Sequence, residues 1–214
     1  MKSALIIWGG WEGHQPQKTS EIVAGWLAAE GYAVEVSDTL DSLLDAEKMQ
    51  ALDLLIPNMS SATITRDQEK ALLAAVKRGV GLGGWHGGSG DTFRNNPDYQ
   101  YVVGGQWVQH PGGIIDYRVN IIDHDDPITA GLSDFAVRSE QYYMHTDPGN
   151  EVLATTTFTG ATDPWIAGTV MPVVWKRHYG QGRVFYNSVG HHLPDFDVPE
   201  VRAIITRGLV WATK

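Results

Sequence analysis

The strongest constraint on the fold is the alternation of short apolar runs with helix-period segments through the first 85 residues. Ser3 to Trp8 is a mostly apolar run closed by Gly9-Gly10, as expected of a strand buried on both faces. Ile22, Val23, Trp26 and Leu27 follow at helical spacing, and Gly31 stops that helix. Tyr32 to Ser37 alternates as a strand, and Leu52 to Pro57 is a third apolar run. Thr65-Arg66-Asp67-Gln68 is a capping box opening a helix to Arg78; Gly79 ends it and Val80 to Trp85 is the fourth strand. The order β-α-β-(short α)-β-α-β with short connections predicts an α/β fold: a doubly wound, mostly parallel, flavodoxin-like sheet covered on both faces.

The second half adds antiparallel strands to the same domain. Gly87 to Gly113 is rich in glycine, asparagine and aromatic residues, and few elements are expected there. Ile114 to Asp123 and Val152 to Thr157 are strand-like, and Pro172 to Tyr179 is joined through Gly180-Gln181-Gly182 to Arg183 to Val189 as a hairpin. A helix from Pro199 buries Val201, Ile204, Ile205, Gly208 and Leu209. With 214 residues and no linker or repeat, a single domain spanning residues 1–214 is expected.

Composition removes several classes of function. Cysteine is absent, which excludes disulfides, thiolate metal sites and thiol nucleophiles. Twenty-five acidic against 16 basic side chains give a net charge of −9, so no nucleic-acid partner is expected. No window approaches a span of ~20 apolar residues, and the apolar run at the amino end is too short for a signal peptide. The expectation is a cytoplasmic protein without a membrane partner. A homo-oligomer is expected, since two-fold dimers are common and the aromatic middle offers an apolar patch.

In an open parallel sheet, ligands bind beyond the carboxyl ends of the strands, where loops and helix amino ends converge. The loop after the first strand carries Trp11, Glu12 and His14; the third contributes Asn58, Ser60 and Ser61; the fourth ends at Trp85-His86; a late strand runs into Gly190-His191-His192. Eight histidines must fall somewhere, and His124 and His178 are read as ordinary ones. His86 differs, because Gly84-Trp85-His86-Gly87-Gly88 has the G-x-nucleophile-x-G form of a nucleophile elbow directly after a buried strand. Such a turn exposes one strained side chain, here an imidazole suited to acid/base work or to metal ligation.

These motifs resemble the trehalose-utilisation (ThuA-like) family, within the class I glutamine-amidotransferase-like superfold. The resemblance rests on Gly9-Gly10 with His14, the elbow Gly84 to Ser89, Gln109-His110-Pro111-Gly112-Gly113, Asp126-Pro127-Ile128-Thr129-Ala130-Gly131-Leu132-Ser133-Asp134-Phe135 and Ser139-Glu140-Gln141-Tyr142-Tyr143. It continues through Pro172-Val173-Val174-Trp175 and Gly180 to Tyr186, ending at Val189-Gly190-His191. It implies that His86 stands where the amidotransferases carry their cysteine, and that His191 lies much as the histidine of their triad does. Gln141 and Ser139 depart from the family's D-E-L-Y stretch and leave Glu140 as the acidic partner; a single His14 stands where many relatives have two. The family implies a role in sugar metabolism.

The expected activity is an enzyme acting on a sugar or 3-keto-sugar as hydrolase, lyase or isomerase, with His86, His191, Glu140 and His14 as the acid/base set. The small-molecule carbohydrate would meet Trp11, Trp85, Ser89, Asp91, His110 and His145, while Trp107 is read as packing. A variant uses His14, His86, His191 and Glu140 to hold a divalent metal, although no fixed-spacing metal motif is present. The alternative is a non-catalytic sugar-binding protein. A glutaminase is excluded by the missing thiol. A nucleotide cofactor is not expected, since Gly9-Gly10-Trp11-Glu12-Gly13 lacks the G-x-G-x-x-G spacing.

Overall fold

The computed structural model describes residues 1–214. In chain order the elements are β1 (Lys2–Gly10), α1 (Pro16–Ala29), β2 (Tyr32–Ser37), α2 (Ala46–Ala51), β3 (Leu54–Ser60), α3 (Arg66–Arg78), β4 (Gly81–Trp85) and the one-turn α4 (His86–Gly90). There follow α5 (Pro97–Val103), β5 (Gly105–Gln109), β6 (Ile114–Ile121), β7 (Phe135–Glu140), β8 (Tyr143–Thr146), β9 (Glu151–Thr157), β10 (Val170–Tyr179), β11 (Gly182–Asn187), α6 (Leu193–Phe196) and α7 (Pro199–Ala212).

Nine strands form one mixed sheet in the order β2-β1-β3-β4-β11-β10-β9-β6-β7, and β5 pairs with β8 as a separate ribbon. β2, β1, β3, β4 and β11 run parallel; β10, β9, β6 and β7 extend the sheet antiparallel. The alternation along β1 shows why both faces need helices. Ala4 and Ile6 join a core with Val23, Leu27, Ile204 and Ile205 of α1 and α7, whereas Leu5 and Ile7 join a second core with Met49, Leu72 and Val76 of α2 and α3. The capping box expected before α3 forms, with Thr65 and Gln68 bonding reciprocally.

The middle of the chain is more ordered than its composition predicts. α5 and β5 lie within Gly87–Gly113, where few elements are expected, β7 and β8 are strands for which the sequence gives no assignment, and α5 is capped by Asn96 and ends at Gly104. β1 lies between β2 and β3, so the order reverses there and the crevice opens beyond the carboxyl ends of β1 and β3. The two strands come close at that edge: Gly10 has φ +75°, the Trp11 amide donates to the Ser60 carbonyl at 3.0 Å, and a Cβ on Gly10 would sit 2.0 Å from that oxygen.

Candidate active site

The sharp turn after β4 is real, and it is strained. His86 has φ +45°, a left-handed conformation costing about 1–3 kcal/mol in a residue with a Cβ. Two contacts hold it: His86 Nδ1 donates to the Ser188 carbonyl at 2.8 Å, and the Tyr186 hydroxyl donates to the His86 carbonyl at 3.0 Å. The expected exposure is corrected. His86 is 1% exposed, because the segment between β7 and β8 crosses above it and the Tyr142 ring stacks on the imidazole at 4.0 Å.

Four of the residues singled out in the sequence meet at this point. Glu140 ends β7 with its Oε2 3.1 Å from His86 Nε2 and 3.2 Å from His191 Nδ1. The latter contact is out of line for a hydrogen bond, so His191 Nδ1 is buried without a partner. His14, on a 3-10 turn after β1, lies 4.7 Å from His86 and 5.2 Å from His191 between ring centres, and its Nδ1 is 2.6 Å from Ser60 Oγ. His14, His86, Glu140 and His191 are all buried, and one ligand atom from each lies within 4.8 Å of the others.

Burial dominates the electrostatics here. It pushes His14 down to about 2, helped by the neighbouring His86 and His191, and it also lowers His86 despite the pull of Glu140. Burial alone would raise the Glu140 carboxyl, but the contacts with His191 and His86 outweigh it and hold the group below the usual carboxylate range. The cluster therefore sets one carboxylate beside two imidazoles, His14 and His86, that resist protonation.

Above it is a cavity of about 250 Å³ lined by Trp11, His14, Ser61, Asp91, Arg94, Trp107, His110, Glu140 and Tyr142. His14 and Glu140 face it, while His86 and His191 lie behind them. Trp11 is half exposed at the rim, and His110 brings Nε2 to 3.6 Å from Glu140 Oε1. Asp91 lines the cavity, but its carboxylate is already claimed by Arg94, Gln106 and Ser61.

Three substrate contacts expected from sequence are corrected. Trp85 is buried in the core against Phe196 and Gly190, since it ends a strand covered on both faces. Ser89 is buried with its hydroxyl donating to the Pro57 carbonyl at 2.6 Å. His145 is exposed on β8 and lines a separate depression with Tyr101 and Asp147. Trp107, read as packing, instead walls the cavity with a buried, unpartnered Nε1. Arg94 and Tyr142 were missed because no spacing marks them. Asp195 was missed too: its Oδ2 accepts from the His191 amide at 2.8 Å and from Ser139 Oγ at 2.6 Å, which fixes the His191 backbone. Asn58 points away into α1, donating to Pro16, Thr19 and Ser20.

A family model described as ThuA, trehalose utilisation, matches residues 3–212. The chain belongs to the ThuA family. Membership supports a carbohydrate-related role for this ThuA protein. A ThuA-like protein from Parabacteroides merdae superposes with a TM-score of 0.81 at 17% identity, covering 99% of this chain and 89% of that one. A cytoplasmic protein from Salmonella typhimurium gives 0.72 at 13% identity, covering 99% of this chain and 100% of the other. A glutamine amidotransferase from Thermotoga maritima gives 0.53 at 12% identity, covering 87% and 74%. At such identities the likeness shows the fold, which the ThuA chain shares with the amidotransferases. No functionally curated protein matches it.

Proposed function

We propose that this ThuA protein is an enzyme that transforms a sugar or keto-sugar in the crevice above Glu140, as a hydrolase, lyase or isomerase. One observation carries the reading: an ionised carboxylate buried among three histidines forms the floor of an aromatic-walled cavity at the switch point of the sheet. The family's carbohydrate-related role supports a sugar as the substrate. The cavity, about 250 Å³, is at the small end of ligand sites and matches one sugar ring rather than a polymer. Trp11 and Trp107 offer flat faces to the apolar side of such a ring, and Trp107 Nε1 and His110 Nδ1 are buried polar atoms without partners that hydroxyl groups would satisfy.

His86 and His191, behind Glu140, act as positioning residues in this reading. His110 is partly exposed and close to Glu140 Oε1, the placement of a group that carries a proton between substrate and solvent. Covalent thiol chemistry has no residue to perform it. No helix is long and apolar enough to cross a membrane, and the Salmonella relative is described as cytoplasmic; both support a cytoplasmic setting.

The test is incubation with 3-keto-disaccharides and their parent sugars, followed by carbohydrate NMR. Turnover is expected, with Glu140→Gln lowering kcat/KM by at least about 100-fold and His110→Ala by about 10- to 100-fold. Saturable binding of these sugars without turnover at any pH would replace the enzyme by a sugar-binding protein.

A further inference from the structure

We infer that His14, His86, His191 and Glu140 together hold a divalent transition-metal ion at the floor of the crevice. The site follows from atoms on the 3-10 turn after β1, the start of α4, the end of β7 and the loop after β11, and its role in catalysis rests on reading the crevice as the active site.

The tautomer of His86 is the first argument. A carbonyl oxygen only accepts, so the nitrogen 2.8 Å from the Ser188 carbonyl, Nδ1, carries the proton. In the neutral ring Nε2 then presents a lone pair, and it faces the Glu140 carboxylate at 3.1 Å. Two acceptors at that distance repel unless a proton on Nε2 or a metal ion lies between them, so the contact is a place that either cation fills. Glu140 has no lysine or arginine partner; its ionic neighbours are His86, His110 and His191 alone. The contrast is with Asp126 and Glu151, whose charge is answered by the Lys176 ammonium.

The second argument is the unpartnered donor set. His191 Nδ1 is buried and unbonded although it lies 3.2 Å from Glu140 Oε2. Ligands on opposite sides of one ion are about 4 Å apart and adjacent ones about 3 Å, from metal–nitrogen and metal–oxygen lengths of roughly 2.0–2.2 Å. The four donor atoms, all within 4.8 Å of one another, close onto one ion with shifts of a few tenths of an ångström. Three imidazoles and a carboxylate suit zinc, manganese, iron or cobalt rather than calcium or magnesium.

The surroundings are those of a ligand set held for a purpose. The Ser188 carbonyl orients His86, Ser60 Oγ touches His14, and Asp195 fixes the His191 amide. The Tyr117 hydroxyl donates to the Glu140 carbonyl at 3.2 Å. His14 and Glu140 line the cavity, so an ion on them faces it and keeps a position for a substrate oxygen.

The experiment strips the intact protein with a chelator and titrates it with Co²⁺, Mn²⁺ or Zn²⁺ alone. Expected are one tightly held ion per chain by mass spectrometry, a visible Co²⁺ ligand-field spectrum, and a rise in Tm of about 5–10 °C at metal a hundredfold above Kd. Glu140→Gln, which keeps the side-chain shape, and His191→Ala should weaken binding by about 100-fold or more, while His178→Ala, packed on Trp211 outside the cluster, leaves it unchanged. Less than about a tenth of an equivalent retained by folded wild-type protein, with no cobalt spectrum and no Tm shift, overturns the site. Sugar turnover indifferent to chelation would then leave the enzyme reading standing without it. Stoichiometric metal with no turnover of any sugar would uphold the site and count against the enzyme.

Discussion

Replacing Gly87 by alanine separates the site from the stability of the fold. Gly87 follows His86 in α4, and a Cβ there would lie 2.4 Å from His14 Cε1, 2.9 Å from the Tyr142 hydroxyl and 3.0 Å from His14 Nδ1. Carbon atoms in contact need about 3.5–4.0 Å, so the His14 ring must retreat by about 1 Å. It would then lose its 2.6 Å contact with Ser60 and its place in the cluster. Overpacking of this kind costs about 1–3 kcal/mol, and alanine in place of glycine in a helix returns up to about 1 kcal/mol. The net loss is at most about 3 kcal/mol, a fall in Tm of no more than about 12 °C for a domain of this size. A reacting group displaced by about 1 Å costs on the order of 100-fold in rate. Gly87→Ala should therefore stay folded by circular dichroism while kcat/KM on the keto-sugar and cobalt affinity both fall by about 100-fold. A folded variant with wild-type turnover and cobalt binding would refute the placement of His14 in the working site.

Three further outcomes test the scaffold. Gly25 in α1 has open space where a Cβ would go, so Gly25→Ala should stabilise by about 0.5–1 kcal/mol and raise Tm by about 1–4 °C; a fall in Tm would mean that the helix is not solvated there. Asn58→Ala removes three donor contacts of 3.0–3.1 Å from β3 to α1 and should cost about 1–3 kcal/mol in a denaturant titration, whereas an unmoved midpoint would show that this tie contributes nothing. Burial raises the phenol groups of Tyr99, Tyr117, Tyr142 and Tyr186, so they stay protonated in the native chain while those of the unfolded chain ionise near pH 10. Above that pH the native state binds more protons, and stability should fall by up to about 1.4 kcal/mol per pH unit per tyrosine, having been fully present below it. Stability that stays flat to about pH 11 would contradict the burial of these groups.

Local chemistry decided much of the parallel half of the sheet. The apolar runs of β1 and β3, the Thr65–Gln68 box and the glycines that end α1 and α3 act within a few residues of themselves, and so their signals survive in one dimension. The elbow is legible for the same reason, as a turn that needs glycine on both sides of one side chain. Phe135–Glu140 and the short β5–β8 ribbon carry weaker patterns, because their ladders are completed by partners such as Ile114 for Glu140 and Thr146 for Gly105. His14, His86, Glu140 and His191 could be picked as candidates from sequence and family likeness, but up to 177 residues separate them. Only the closing of the sheet and the crossing of the Tyr142 segment bring them within reach and bury them. That same crossing turns the expected exposed histidine into one hidden behind a carboxylate, and moves the open face of the site to Glu140, His14 and His110. Arg94 and Trp107 reach the cavity through tertiary packing alone, since no local spacing distinguishes a side chain that walls a crevice from one that packs a core.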